Sequence, residues 1–469
     1  MISIKLGGGK PMPKAVQTDG FFKLAGQFAA NGWKLLQGKL RGYARSAALL
    51  RDSQPLQIRP SVSRMLRGRL GVMLDHTACA NGKDGRTAPN GPIGSRFDEG
   101  TETLPSPTYD DRKLIETIRA ETERCNRNNI TRTEAYWRIY SEHPELHWAF
   151  LAHMVSRNGG WAMTDLRGEL LARMITPAQS ERMFQFLERA NALIFGDAYP
   201  QLLLYAEAKK RGTGLTRLLP HFHVSAFMTP LWEQFLKDRD PVPLTIGLIV
   251  NEQNYIEGRV VQNKTFREEL LNTAAFHAYA WLQLTQVLLP YAPVTEPAAM
   301  DTGRHRVSAG NGGRTKPLPR LAGLILESFA SLEERIGVGK KLYALLYGVP
   351  AVFKGVLAFA EATPHTGSRT DYWPHLFTGT RHDSSKPYVT KLKGNALLPG
   401  EEPFYSPKLT EAWPDQKIEE PQRYDWFCDK SGLAWFESVR PPFPLDMTNE
   451  AFFGLEKLEV AVLAAEMLE

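Results

Sequence analysis

The sequence predicts an all-α protein, an irregular multi-helix bundle with a basic N-terminal arm and a mostly irregular C-terminal wrap. Three observations lead there. Between Asp110 and Phe377 apolar residues recur at helical spacing, as at Leu114, Ile115 and Ile118. Helix start and stop signals punctuate that stretch, among them Thr164-Asp165, Thr176-Pro177 and Asn158-Gly159-Gly160. Strand signals are scarce. With 43% hydrophobic and 10% aromatic residues in a chain of 469, a packed core is affordable and global disorder is excluded.

The arm covers residues 1–75. Residues 1–74 carry thirteen basic residues against Asp19 and Asp52, a charge of +11 in a chain whose total is +6, so the remainder carries −5. An acidic-leaning core argues against a dedicated nucleic-acid-binding domain. Gly20–Arg51 reads as one or two basic amphipathic helices, with Trp33, Leu36 and Leu40 near helical spacing. Either its apolar stripe docks on the core, or it serves as a membrane-surface or polyanion-binding arm. No secretory signal is visible, since Lys23, Lys34 and Lys39 interrupt the early apolar residues.

Residues 76–109 are rich in Gly, Pro, Asn and Thr and read as a flexible linker. The core domain then spans residues 110–378. Its expected helices are Asp111–Tyr140, a run from Pro144 to Ser156 closed by Asn158-Gly159-Gly160, Arg182–Leu193, Pro200–Lys210, Pro230–Lys237, Leu244–Val261, Phe266–Leu289, Leu321–Arg335 and Lys340–Tyr347. Residues 293–319 form an inserted loop. Leu270–Thr295 is uncharged, but His277, Gln283, Gln286 and Pro290 suit a buried core helix better than a bilayer. Residues 379–469 form an irregular extension with a last helix over Asn449–Met467, for which Thr448 is an N-cap. Cys79, Cys125 and Cys428 lack C-x-x-C spacing, which argues against a zinc site and fits a reducing compartment.

Three stretches concentrate polar chemistry. His143 to Trp161 holds His147, His153, Arg157 and Asn158. His143 and His147 stand four apart, as metal ligands do, yet the H-E-x-x-H arrangement is absent, and structural histidines are the simpler reading. Asn251, Glu252, Asn254 and Glu257 interrupt an apolar helix and either fix its register or line a polar pocket. Pro364 to Pro374 supplies His365, Arg369 and Asp371 around Gly367, the parts of an oxyanion cradle without P-loop spacing. The candidate pocket is thus His147, Arg157, Asn158, Glu252, Asn254, Glu257, His365, Arg369 and Asp371. No metal ligand set or cofactor is identified.

These stretches occur in a familiar succession: Arg132-Thr-Glu-Ala-Tyr136, His143-Pro-Glu-Leu-His-Trp148, His153-Met-Val-Ser-Arg-Asn-Gly-Gly-Trp161, Asn251-Glu-Gln-Asn-Tyr-Ile-Glu257 and Pro364-His-Thr-Gly-Ser-Arg-Thr-Asp-Tyr-Trp-Pro374. The series resembles the YppC-like family, a bacterial domain of unknown function, over roughly Asn126 to Phe377 and onward toward Phe427. The resemblance implies a bacterial, cytoplasmic protein and brings no activity, cofactor or catalytic residue. The expected function is a binding or scaffold protein whose arm meets an anionic membrane surface or polyanion, with a protein partner for the core. The alternative is an enzyme with a polar interhelical pocket, metal-dependent in one version.

Overall fold

The computed structural model describes residues 36–79, 107–273, 276, 285–291, 318–381 and 387–468. The first 35 residues of the expected arm, the linker from residue 80 to 106 and the insertion from 292 to 317 lie outside them, as does most of Leu270–Thr295.

The chain enters as a helix over residues 36–49 (α1), followed by α2, Pro60–Cys79. Val62, Leu66, Leu70 and Leu74 fall on one face of α2 at four-residue spacing and are buried in the common core. Arg59 just before it and two of its own cations turn back onto the body, Arg59 pairing with Asp238 at 2.5 Å, Arg67 with Glu437 at 3.2 Å and Arg69 with Glu233, while Arg64 is exposed. The expected boundary at residue 75 therefore falls within a helix that belongs to the core.

Five helices build the centre: α3 Tyr109–Cys125, α4 Asn129–Glu142, α5 His147–Asp165, α6 Pro177–Arg211 and, after α7 Met228–Asp238, α8 Pro241–Ile256. The caps explain where they start. Thr108, Asn128 and Thr176 each close a capping box, and Asp240 accepts from the Val242 N–H ahead of α8. Helix α6 ends at Gly212, whose φ of 66° is the left-handed turn glycine permits. Two expected helices are one in α6, which runs through the buried Pro200. One missing donor is outweighed there by the packing of Phe195, Tyr199 and Leu202, all fully buried.

Helix α5 packs against α4, α6 and α8 and so occupies the middle. Three expectations fail along it. Pro144 lies in the turn before the helix and not at its first position, and Asn158-Gly159-Gly160 does not end it. Thr164-Asp165 is its last turn, not the start of another.

The expected Phe266–Leu289 and Leu321–Arg335 helices give way in part to strands. β1 (Gln286–Tyr291) and β2 (Arg320–Ile325) pair antiparallel, from Gln286 opposite Ile325 to Tyr291 opposite Arg320. The far edge of β2 is covered by backbone: Gly323 N–H donates to Leu445 and Met447 N–H to Leu321. The near edge of β1 is covered by Asn158, which donates to the Gln286 carbonyl at 3.1 Å and accepts from Leu288 N–H at 2.9 Å. Short apolar runs of this length do not distinguish helix from buried strand.

Helices α9 (Leu332–Gly348) and α10 (Pro350–Ala362) follow, bent 91° apart, and among the described residues no single helix is long and apolar enough to cross a membrane. The segment beyond residue 362 is largely irregular, as expected, apart from short turns and the two-residue parallel pair β3 (Phe377–Thr378) and β4 (Phe404–Tyr405). Helix α11, Thr448–Leu468, closes the chain. Among the described residues the protein is thus mainly helical with two small sheets.

Candidate functional site

The densest polar group lies where α4, α5 and the segment 364–371 meet. Asn129 on α4 donates its amide to the Ser156 carbonyl at 2.9 Å and the Ser156 hydroxyl at 3.1 Å. That fixes its oxygen toward His365 Nε2, 2.9 Å away, so Nε2 carries the proton. His365 Nδ1 then faces Asp371 at 3.4 Å. Asp371 also accepts from Trp161 Nε1 at 3.0 Å, Thr366 N–H at 3.1 Å and the Thr366 hydroxyl at 2.6 Å. Burial works to raise the Asp371 carboxyl, but the Thr366 and Trp161 donors hold it below the usual range.

This meeting explains the glycine pair inside α5. A Cβ on Gly160 would lie 2.4 Å from the Asn129 oxygen and 2.6 Å from His365 Nε2. Glycine there serves close approach, not helix termination.

Arg157 stands beside this group, 1% exposed, with its guanidinium 4.7 Å from the Phe359 ring centre. Its Nη2 reaches the Pro364 carbonyl at 3.4 Å, and its Nε meets no hydrogen-bond partner. Desolvation pushes it down to about 10, so it remains a cation at neutral pH. His153, one turn earlier, donates Nδ1–H to the Thr133 carbonyl at 2.9 Å and is pushed to about 3 by burial. Arg157, His365 and Asp371 therefore do come together, sealed from solvent.

The other six expected residues sit elsewhere. Asn158 and Arg369 line a cavity of about 70 Å³ among α5, β1, β4 and α11. Arg369 makes three bonds to Asp165, the shortest 2.6 Å, and reaches the Tyr372 hydroxyl. Glu169 on the same wall pairs with Lys391 at 2.6 Å. The charges around this cavity thus neutralise one another. His147 bonds Tyr343 at 2.9 Å and stacks on Tyr347 at 3.8 Å, and burial takes it down to about 4. Glu252 accepts from Trp148 Nε1 at 3.1 Å, Asn254 donates back to the Val250 carbonyl, and Glu257 pairs with Arg335. Among the described residues no three His, Cys, Asp or Glu side chains are placed to hold a metal ion.

Another surface stands out at α1. At about 100° per residue, Gly38, Gly42 and Ser46 share one side, and this side faces the body. The Gly38 carbonyl accepts from Asn449 at 2.8 Å, and the Ser46 hydroxyl accepts from the N–H groups of Leu445 and Asp446 at 3.1 and 3.0 Å. A Cβ on Gly42 would lie 3.5 Å from the Asp446 carbonyl. Small residues let α1 lie close on the chain before α11.

The opposite side of α1 is exposed and carries no charge. Leu36, Leu40, Tyr43, Ala44, Ala47 and Ala48 fall within an arc of roughly 140°, and all are exposed. Leu36 is 49% and Leu40 58% exposed. Lys39 borders this arc on one side and Arg41 on the other. Phe443, itself 58% exposed, stacks on Tyr43 with ring centres 5.6 Å apart. The sequence signals the apolar spacing, and Gly38, Gly42 and Ser46 at four-residue intervals signal which side docks. Nothing local signals Phe443, four hundred residues away in the chain.

A family model described as "Protein of unknown function (DUF2515)" matches residues 124–455, reaching beyond the span that the motifs alone cover. The chain is 39% identical over 260 residues to "Uncharacterized protein YppC" of Bacillus subtilis (strain 168), covering 55% of this chain and 73% of that relative. No solved structure matches.

Proposed function

The chain belongs to the DUF2515 family of proteins of unknown function, and we propose that it is a helical binding protein which attaches to an anionic surface through α1. The observation that carries this reading is the orientation of α1. Its small-residue side is spent on the body, and its other side leaves large apolar groups in water with cations along the borders. Arg41 and Arg45 are exposed on α1, as are Lys39, whose charge also acts on Glu450, and Arg51 just beyond the helix beside Asp52. By contrast Arg59, Arg67 and Arg69 are consumed by ion pairs with the body. Contiguous exposed apolar surface of this kind marks interaction sites, and the exposed cations along its borders select a negative partner. The location that fits is the periphery of a membrane on its cytoplasmic side, where anionic lipids gather.

The polar group around Arg157 supports a structural part for the core. It is enclosed, and its hydrogen bonds tie α4 and α5 to the 364–371 segment. The core then acts as the rigid body that presents α1.

Charge reversal tests the reading without disturbing α2, which belongs to the core. The full chain with Lys39, Arg41, Arg45 and Arg51 changed to Glu is compared with wild type on heparin and on phosphatidylglycerol vesicles. Wild type should bind in dilute buffer and release near 1 M salt, where screening falls to about 3 Å. The variant should bind neither. Undiminished binding by the variant would overturn the proposal.

A further inference from the structure

We infer that the anionic surface is a lipid bilayer, and that α1 enters it side-on together with Phe443. The inference deepens the α1 reading above and rests on it.

A polyanion would be met by cation tips and would leave Leu36 and Leu40 in water. In α1 the cations stand at the two edges of an uncharged side that is apolar apart from Gln37, Lys39 at one and Arg41 at the other. That arrangement suits a helix lying in the plane of an interface, with apolar groups in the acyl boundary and cations at headgroup level. The second element agrees. Phe443 belongs to Arg440-Pro-Pro-Phe-Pro444, where prolines on either side restrict the backbone, and its ring packs on Tyr43 of α1 while staying 58% exposed. Arg440, three residues before it, is exposed as well. An aromatic side chain held out among cations by a second chain segment broadens the apolar side into a patch, and aromatic rings are favoured at the membrane–water boundary. A second copy of the chain fits less well. Facing copies of α1 would bring Lys39, Arg41 and Arg45 against their equivalents, and no exposed acid on α1 offsets them.

The test uses the full chain and the exposed double variant Leu40→Gln with Phe443→Gln, which withdraws the apolar groups without adding charge and whose fold is checked by its thermal unfolding. Binding is measured to phosphatidylcholine vesicles, to vesicles also containing phosphatidylglycerol, to heparin and to duplex DNA, with mass measured by light scattering. Wild type should prefer the phosphatidylglycerol vesicles over phosphatidylcholine alone. The double variant should lose at least roughly tenfold in vesicle affinity, since each apolar group withdrawn from the bilayer is worth about one decade or more. Its heparin binding should change far less. Vesicle binding equal to wild type in the double variant would overturn the inference. Wild-type binding to heparin or DNA without vesicles would also overturn it and leave the anionic reading standing. A dimer that the double variant dissolves would replace the bilayer with a second copy. Failure to bind any of the four would remove the anionic reading as well.

Discussion

Replacing Glu252 with Gln should stabilise the protein, and should do so more at pH 8 than at pH 5. Glu252 lies on α8 and receives only neutral donors, Trp148 Nε1 at 3.1 Å and Gln253 Nε2 at 3.2 Å. Its neighbour Asp197 is another buried carboxyl, bonded to Asn251 at 2.5 Å and raised by burial to about 7. Desolvation raises Glu252 from its usual 4.5 to about 8. The unfolded chain releases this proton near the usual value, whereas the folded chain holds it until about 8. Stability is therefore full at acid pH, falls as pH rises across that window, and loses nothing further above it. A span of about three and a half pH units at about 1.4 kcal/mol each gives an upper bound near 5 kcal/mol. Residual solvent contact brings the expected value to roughly 2–4 kcal/mol. Glutamine keeps an oxygen for Trp148 and has no charge to bury, and its cost is about 1 kcal/mol for the donor of Gln253 that loses its acceptor. The net gain at pH 8 should be about 1–3 kcal/mol, and near zero at pH 5. Urea unfolding at the two pH values reads both, with unchanged m-values required. The same pH dependence in variant and wild type would refute a protonated Glu252 in the folded state.

Two further substitutions probe the core. Gly160→Ala should destabilise by about 1–3 kcal/mol through overpacking, although alanine favours helices by about 1 kcal/mol; a stabilised variant in thermal unfolding would contradict the close approach of Asn129 and His365. Arg157→Met should leave stability within about 1 kcal/mol of wild type or raise it, because the guanidinium forms no hydrogen-bonded ion pair and the attraction of nearby Asp371 repays only part of its desolvation. A loss beyond about 3 kcal/mol in the same assay would mean that the guanidinium holds partners stronger than the Pro364 carbonyl.

Much of the fold is legible in the residues themselves. Thr176-Pro177 opens α6, Thr448 opens α11, and the irregular wrap follows from its turn formers. Other elements need tertiary contacts to be understood. Leu321 to Ile325 has too few residues to reveal a period, and it becomes a strand because the backbone of Leu445 to Met447 lies along it. Asn158-Gly159-Gly160 has the composition of a helix stop, yet Asn158 covers β1 and Gly160 makes room for His365. The candidate site is legible to the same degree. The crowded stretch from His143 to Trp161 and the loop from Pro364 to Pro374 do meet, at Arg157, His365 and Asp371. Spacing along a helix tells which side a residue shares, but not which neighbour that side meets, so Glu252, Glu257 and His147 find partners of their own. For α1 the apolar spacing suggests a stripe docked on the core. Most of that stripe lies outside the described residues; over 36–49 it is glycine and serine that dock, because a closer approach lets Ser46 accept two backbone hydrogen bonds.

The most direct measurement of the central claim is hydrogen–deuterium exchange of the full chain with and without phosphatidylglycerol vesicles. Residues 36–49 and the amides of Arg440 and Phe443 should gain protection together on the vesicles, while α4, α5 and the 364–371 segment stay unchanged. Protection that spares α1, or that appears instead around Arg157 and the cavity beside Arg369, would contradict it.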